Sequence, residues 1–577
     1  MKMKTNKKIS IVTLCLLLGL AIGCKESFLE TTPYGAVTEA TLQANEAGAG
    51  SLLISAYSNL DGFSGWDNGN PWGGAASNWT FGSVAGGDAY KGSEANDQPD
   101  ITPIELHQTN SNNPYLEGKW RNYYDGVLRT NHAITAYKKL ATTAISDATR
   151  RVRIAEARFL RGFYHLEVTK VFGKVPYITE DIVETRIPND KDIMPDIQAD
   201  FTAAIADLPV TQTEAGRVTK GAAQAFLGYT FMWQKKYAEA KAQFGAVIAS
   251  GRYALNTNFH DNFNPAFRNT REGILEVQQA VNVGTDDNAN NGDVLNFPYN
   301  GGPGGCCGFH QPSQNLANAF KTTAGGFPML DTYNDSDVTN DQGLTASQPF
   351  TPYAGPLDPR LDWTVGRRGI PYLDWGKHPG ISWIRDQLYG GPYSPLKNVY
   401  YKSQEGTYTT VTGWTKGFNS NNIKLMRYAD LLLLAAEAEV ELNNLDAARL
   451  LVNQVRNRAK TGSYVMDGAV PAANYVINTY TAGQVGYFDT QTNARKAVRF
   501  ERRVELGMEG HRFFDLVRQG IAASEKTAYF AKEKLKRSYF NAGSFTAGKH
   551  EVFPIPQGAI NSSSIGGQPT LKQNPGY

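Results

Sequence analysis

Past residue 23 the chain offers no apolar stretch long enough to cross a bilayer. Leu431–Ala436 is flanked by Asp430 and Glu437 and reads as part of a soluble helix. Charge of one sign is missing too: formal net charge is +2 with no long like-charge run, so there is no nucleic-acid footprint. The eight histidines are scattered, with no His-Glu-x-x-His and no close pair, and no P-loop or dinucleotide fingerprint is present. Asp286–Asp293 is rich in Asp and Asn but misses the calcium-loop spacing, since Gly292 comes late and no glutamate closes it. Asp331, Asp335 and Asp337 form a second acidic loop; both read as solvated turns, and no metal or cofactor is expected. Convincing β alternation is scarce. Cysteine numbers only four, at 15, 24, 306 and 307.

The first two cysteines belong to a targeting device. Lys2, Lys4, Lys7 and Lys8 precede the apolar run Ile9–Ile22, too short for a comfortable membrane span and without a stop-transfer flank. It ends Leu20-Ala21-Ile22-Gly23-Cys24, similar to a lipobox except for Ala21 where leucine is usual. The expectation is a signal peptide over 1–23 and a lipid-bearing Cys24, with ordinary secretory cleavage as the alternative. Two or more acyl chains would hold a soluble domain stably at a membrane. Cys306 and Cys307 then stand adjacent in Gly-Gly-Pro-Gly-Gly-Cys-Cys-Gly-Phe, with no other partner in an oxidising compartment. They read as a vicinal disulfide whose geometry the glycines tolerate, the alternative being two free buried thiols. A closed pair would add a flat, rigid sulfur surface.

Regular structure is helical, interrupted by long loops. The spacing of Val152, Ala155, Phe159, Phe163 and Leu166 predicts a helix over 146–172, stopped by Gly173 and Pro176. A helix pair over 219–251 places Leu227-Gly228, Phe231, Ala240 and Phe244 at tetratricopeptide offsets. A second pair over 428–458 uses Ala435-Ala436 and Ala448 for close contact, turns at Asn443-Asn444, and offers Asp446 as N-cap. Repeats of this kind bury their faces only against neighbours, so more are expected over 38–60, 119–140 and 146–172. Between the pairs lies a loop-rich insert, 259–422. With the stretch 61–108 it holds seven of the nine tryptophans, the wrong place for an ordinary helical core.

Several segments carry a family resemblance. Glu156-Ala157-Arg158-Phe159-Leu160-Arg161-Gly162-Phe163-Tyr164-His165-Leu166, running on to Val171-Phe172-Gly173-Lys174-Val175-Pro176, resembles the most recognisable helix of the SusD/RagB family. Trp120, Tyr124 and Asn131 match the preceding helix, and Met426-Arg427-Tyr428-Ala429-Asp430 a later repeat. Glu501–Leu506, Glu509–Leu516, Phe553–Gln557 and Gln573–Tyr577 follow in the family's order. The resemblance implies an all-α, tetratricopeptide-like helical-repeat scaffold with a large loop-rich insert, divided as 1–23 signal, 24–258, 259–422 and 423–577. It also implies a cell-surface lipoprotein that captures oligosaccharide or polysaccharide and delivers it to a SusC-like TonB-dependent outer-membrane transporter, without catalysis.

Sugars are held by aromatic rings on their C–H faces and by amides or carboxylates on their hydroxyls. Two stretches have that mixture: Trp66, Trp72 and Trp79 leading to Asp88, Tyr90 and Lys91, and Tyr372, Trp375 and Trp383. Asp88 resembles an acidic family position near bound glycan. A glycosidase alternative would draw on the helix read over 501–518, where Glu501 and Glu505, and His511 and Asp515, lie one turn apart. Arg502, Arg503, Arg512 and Arg518 interleave there and would lower carboxylate pKa values, against what a glycosidase acid needs. Peptide capture, as in the RagB branch, is the other alternative.

Overall fold

The structure is a computed structural model and describes residues 42, 43, 45–62, 71–286 and 288–577. The signal segment 1–23, Cys24 and Trp66 lie outside the described residues. The longer helices are α1 (Glu46–Ser58), α2 (Pro114–Lys139), α3 (Asp147–Phe172), α4 (Met194–Asp207), α5 (Lys220–Trp233), α6 (Tyr237–Ala249), α7 (Tyr428–Glu441), α8 (Leu445–Thr461), α9 (Gln491–Leu506), α10 (Arg512–Arg518) and α11 (Ala522–Glu533). From α1 to α8 each packs on the next, with α6 handing over to α7 across the insert and α9 closing on both α7 and α8. The chain is thus all-α in its regular structure, a helical-repeat scaffold carrying a large loop-rich insert.

Local chemistry sets the ends. Asn113 accepts from the Tyr115 N–H with Pro114 at the first helical position of α2, and Lys138 and Lys139 fill its last turn. Ser146 caps α3 through the Thr149 N–H, and Gly173 ends it at φ +71°. Thr219 caps α5 through the Ala222 N–H. Asp446 does not cap α8: the cap position falls on Asn444, and Asp446, one turn in, pairs with Arg449 at 2.8 Å.

The α5–α6 approach is as close as the repeat reading requires. A Cβ on Gly228 would sit 2.5 Å from the buried Phe244 ring. Gly228→Ala is expected to lose about 1–3 kcal/mol, because the ring has no space to move into; thermal unfolding checks this, and an unchanged Tm would remove Gly228 from the interhelical contact.

The insert is closed at its root. β2 (Gly273–Val277) pairs antiparallel with β4 (Ile423–Arg427), aligning Gly273 with Arg427 and Val277 with Ile423. β1 (Ala89–Gly92) pairs with β3 (Phe309–Pro312), aligning Tyr90 with Gln311, and ties the 61–108 stretch to the insert.

A knot of buried charge sits beneath this root. Glu505 of α9 meets Arg360 (2.8 Å), Arg427 (2.5 Å) and Arg458, while Glu501 meets Arg360 and Arg456, both at 2.7 Å. Arg427 also reaches Glu272 (3.0 Å) and Glu509 (2.8 Å), and Lys397 joins Glu509 at 2.6 Å. Arg360 and Lys397 come from the insert, the glutamates and remaining arginines mostly from the scaffold. Burial alone would push the Glu505 carboxyl up; Arg458, Arg427 and Arg360 outweigh it and hold it well below the usual range.

The core histidines behave alike. Burial pushes His165, His260, His310 and His378 down to about 3, helped at His165 by Arg161 and at His260 by Lys397. Their ordinary value is 6.5, so between 6.5 and 3 the unfolded chain binds more protons than the folded one. Each therefore contributes stability that is complete above 6.5 and is lost, at about 1.4 kcal/mol per pH unit, as pH falls toward 3. The four imidazole resonances are expected to stay at neutral-ring shifts from pH 8 to pH 5 by NMR; a midpoint near 6.5 for any of them would refute this.

Candidate functional site: a glycine floor with an aromatic rim

The expected ligand residues divide sharply by burial. Trp79 is fully buried in a π-helical turn (Trp79–Val84), its indole N–H donating to the Gly292 carbonyl at 2.9 Å. Trp72 is 3% exposed, and Tyr372 is fully buried with its hydroxyl on the Pro395 carbonyl. Tyr90 is fully buried between Glu533 (2.7 Å) and Arg537, and Asp88, also buried, pairs with Arg503 at 3.1 Å. Lys91 is buried as well and donates to the backbone carbonyls of Glu94 (2.7 Å) and Asp97 (2.5 Å); burial moves its ammonium down to about 8 against the pull of Glu105 and Asp97. These six side chains have no surface to offer a ligand in this structure. They pack or brace the loops, and Lys91 in particular holds the 94–97 turn.

Trp375 and Trp383 are half-buried at the edge of a small cluster made of Phe297, Tyr372, Leu396, Val399 and Tyr400. The Trp375 indole donates to the Tyr400 carbonyl at 3.0 Å, and Lys402 Nζ lies 5.9 Å from its ring centre. Trp383 meets Tyr372 edge-on at 5.6 Å and His378 at 5.2 Å. His378 Nδ1 accepts from the Gly380 N–H (3.1 Å), which leaves its other nitrogen to donate to Ser394 Oγ (2.8 Å) and fixes the ring behind Trp383.

The glycine-rich run from Asn300 to Gly308 crosses this cluster. A Cβ on Gly302 would lie 3.2 Å from the Trp383 ring, so the glycine lets backbone rest against the indole. Tyr299 donates its N–H to the Trp383 carbonyl at 2.9 Å. Gly304 is held from both sides: its N–H donates to Tyr400 Oη (3.0 Å) and its carbonyl accepts from the Thr415 hydroxyl (2.6 Å). Gly304 and Gly305 both take φ +72°, where a side chain would be strained, and above Gly305 there is open space. Cys306 and Cys307 follow, their sulfurs joined; Cys306 is half-buried and Cys307 sits in the main core.

Residues outside the expected set complete the rim. Trp414 is 59% exposed, its ring edge-on to Phe418 at 5.7 Å, one residue before the Thr415 that holds Gly304. Arg385 lies over the Tyr299 ring at 5.3 Å and pairs with Asp97 (2.5 Å) and Glu94 (3.2 Å). A cleft of about 670 Å³ opens beside it, lined by Glu94, Ile381, Arg385 and Leu388. Position gave a signal for two of these: Tyr299 stands directly before the glycine run, and Arg385 two residues after Trp383. The surface offers ring faces for C–H contact and, within reach, Arg385, Glu94 and Asp97 for hydroxyls.

The carboxylates proposed for hydrolysis are elsewhere. The helix read over 501–518 is broken: α9 ends at Leu506 and α10 starts at Arg512. Glu501 and Glu505 belong to the buried charge knot, and Asp515 lies between Arg502 (2.7 Å) and Arg518 (3.0 Å), which overcome its burial and hold it low. Carboxyls that burial raises, such as Glu105 (to about 7) and Asp293, are enclosed, Asp293 by Ser77 (2.5 Å), Asn290 and Asn296. Of the acidic loops, Asp331 pairs with Lys496 (2.7 Å) and Asp337 with Lys536. Among the described residues no group of three or more His, Cys, Asp or Glu is placed to hold a metal, and no helix is long and apolar enough to cross a membrane.

Comparison with known proteins adds an independent line. Residues 271–577 match the family model described as the SusD family, and residues 75–231 match one described as starch-binding associating with outer membrane. SusD-like protein P38 of Formosa agariphila is 24% identical over 538 residues, spanning 90% of this chain and 93% of that protein. A SusD-like protein of Bacteroides ovatus is 23% identical, spanning 89% and 82%. Among solved structures, surface glycan-binding protein A from Bacteroides fluxus superposes with a TM-score of 0.66 at 23% identity, covering 92% of this chain and all of that one. Surface glycan-binding protein A from Bacteroides thetaiotaomicron in complex with laminarihexaose gives 0.64 at 20% identity, with 92% and 100% coverage. At these identities the superpositions speak to the fold.

Proposed function

From the premise that the chain belongs to the SusD family, we propose that it is a lipid-anchored protein of the outer-membrane surface that binds oligosaccharide or polysaccharide and delivers it to a SusC-like TonB-dependent transporter, without cleaving it. The observation that carries this reading is the aromatic rim of Trp375, Trp383 and Trp414 around a side-chain-free glycine floor. A flat apolar surface edged by indoles fits the C–H face of a pyranose, and Arg385 with Glu94 and Asp97 supplies donors and acceptors for its hydroxyls. The names of the relatives, surface glycan-binding protein and starch-binding associating with outer membrane, support sugar as the ligand class and the outer membrane as the place.

Catalysis is left out because the acid–base candidates are committed to arginines or enclosed, while a glycosidase needs one raised and one ionised carboxyl facing a shared cleft. Cys24 would carry the anchor, and neither metal nor cofactor has a role. Isothermal titration of the purified protein against a polysaccharide panel tests the reading. The expected result is saturable binding to at least one glycan with no release of reducing sugar. Sugar release that persists through further purification would replace it with a hydrolase, and binding of peptides with no glycan on the panel would replace it with peptide capture.

A further inference from the structure

The established likeness says nothing of the paired sulfurs in the glycine run. Cys306 and Cys307 are joined, and their surroundings differ. Cys307 is 8% exposed in the main core and its N–H donates to the Leu295 carbonyl at 3.1 Å, so the pair is pinned from below. Cys306 is half-buried and follows directly on Gly305, whose outward side is open. Both ends of the segment touch the same rim. Gly302 abuts the Trp383 ring, and a Cβ on Gly308 would fall 3.5 Å from Tyr299 Cβ and 3.9 Å from Arg385 Cβ. The N–H of Gly308 donates to the Phe297 carbonyl at 2.8 Å, fixing the strand of backbone on the far side of the pair to the cluster that carries Trp375 and Trp383.

Resting on the glycan-binding reading, we propose that the Cys306–Cys307 disulfide is a subsite of that surface: its partly exposed sulfur, continuous with Gly305, is the platform on which one pyranose ring of the bound chain lays its C–H face, while neighbouring rings meet the indoles. The chemistry is that of sulfur as a soft, polarizable, weakly hydrated atom. It accepts no strong hydrogen bonds, so covering it costs little desolvation, and its dispersion contact with C–H groups resembles that of an aromatic edge. A disulfide adds what a methionine cannot, two sulfurs held without rotamer freedom, so no side-chain entropy is lost when the sugar lands. Glycine on one side keeps the approach clear of side chains. The ligand class implied is a neutral pyranoside chain with an uncharged C–H face turned toward the floor, at least two rings long, so that an indole and the disulfide are occupied together.

The test compares glycan affinity of the wild-type protein with Trp383→Ala and with the double variant Cys306→Ala/Cys307→Ala, using a polysaccharide that the wild type binds and oligosaccharides of increasing length from it. The double variant is expected to bind about fivefold more weakly, the effect of removing a few tens of Å² of apolar contact. Its loss should be absent for the monosaccharide and full once the ligand spans two subsites. Loss at Trp383→Ala with unchanged affinity in the cysteine variant overturns the disulfide subsite and leaves the glycan reading standing. A wild-type protein that binds no glycan overturns both. Should the double variant fail to fold, Gly305→Asn decides: asparagine tolerates positive φ and its side chain would stand on the open side of the floor beside Cys306. Weakening by tenfold or more supports the subsite, and unchanged affinity overturns it.

Discussion

Exchanging Glu505 for glutamine is expected to remove about 3–5 kcal/mol of stability, enough to lower the thermal transition by many degrees or to prevent accumulation of folded protein. The carboxylate is buried and receives Arg360, Arg427 and Arg458 at once. An amide of the same shape brings one acceptor and a donor aimed at cations, leaving three guanidinium groups enclosed with less than the charge they need. Burial of charge without compensation is among the costliest defects a fold can carry. The loss should be larger than for Glu184→Gln, where an exposed carboxylate merely meets exposed Arg186. Chemical denaturation of the two variants side by side checks this; equal midpoints would mean that water reaches Glu505 and that the knot is decorative.

Replacing Trp383 by alanine is expected to weaken glycan binding at least tenfold, and Trp375→Ala/Trp383→Ala together to bring it below detection. Tryptophan at the centre of a contact commonly carries over 2 kcal/mol, and two rings on one cluster act as a unit. Both indoles are half-buried, so the cost in stability should be modest. Trp79→Ala should give the reverse pattern. Its ring is wholly enclosed and its N–H is bonded to Gly292, so truncation should cost about 3–5 kcal/mol of stability, with affinity per folded molecule little changed. Titration calorimetry combined with thermal unfolding on the three variants separates the roles. Retained affinity in the rim double variant would move the ligand off this surface.

The contrast between those tryptophans shows where reading the chain alone succeeds. Helix ends were legible because caps and stops are local: Ser146, Thr219 and Gly173 act on backbone a few residues away. So were the repeats, since Gly228 facing Phe244 is a spacing within one helix pair. The fold class and the family order of segments followed from such features. The ligand surface did not, because composition cannot say which side of a loop faces water. Trp79 is buried by Gly292, more than two hundred residues on, and Asp88 by Arg503, farther still. Both sit in stretches as rich in Asn, Gly and Trp as those that stay exposed. The disagreement over Asp446 is smaller in kind: neighbouring Asn444 took the cap position, a shift of two residues. The broken helix at 507–511 escaped periodicity because Gly507 and Gly510 interrupt a run whose charged residues keep helical spacing on both sides.

The β2–β4 pair gives the insert a property of another order. It brings Gly273 and Arg427 side by side, so to the helices the intervening chain is a loop of almost no span, whatever its length or content. Such a segment is exchangeable: a lineage could replace the whole surface it carries, and with it the polymer recognised, while the repeats stay as they are. Exchange has one condition written into the charge knot. Any replacement must return a guanidinium at the place of Arg360 and an ammonium at that of Lys397, so the scaffold tolerates new specificities only from loops that bring the same two cations back to the same two glutamates.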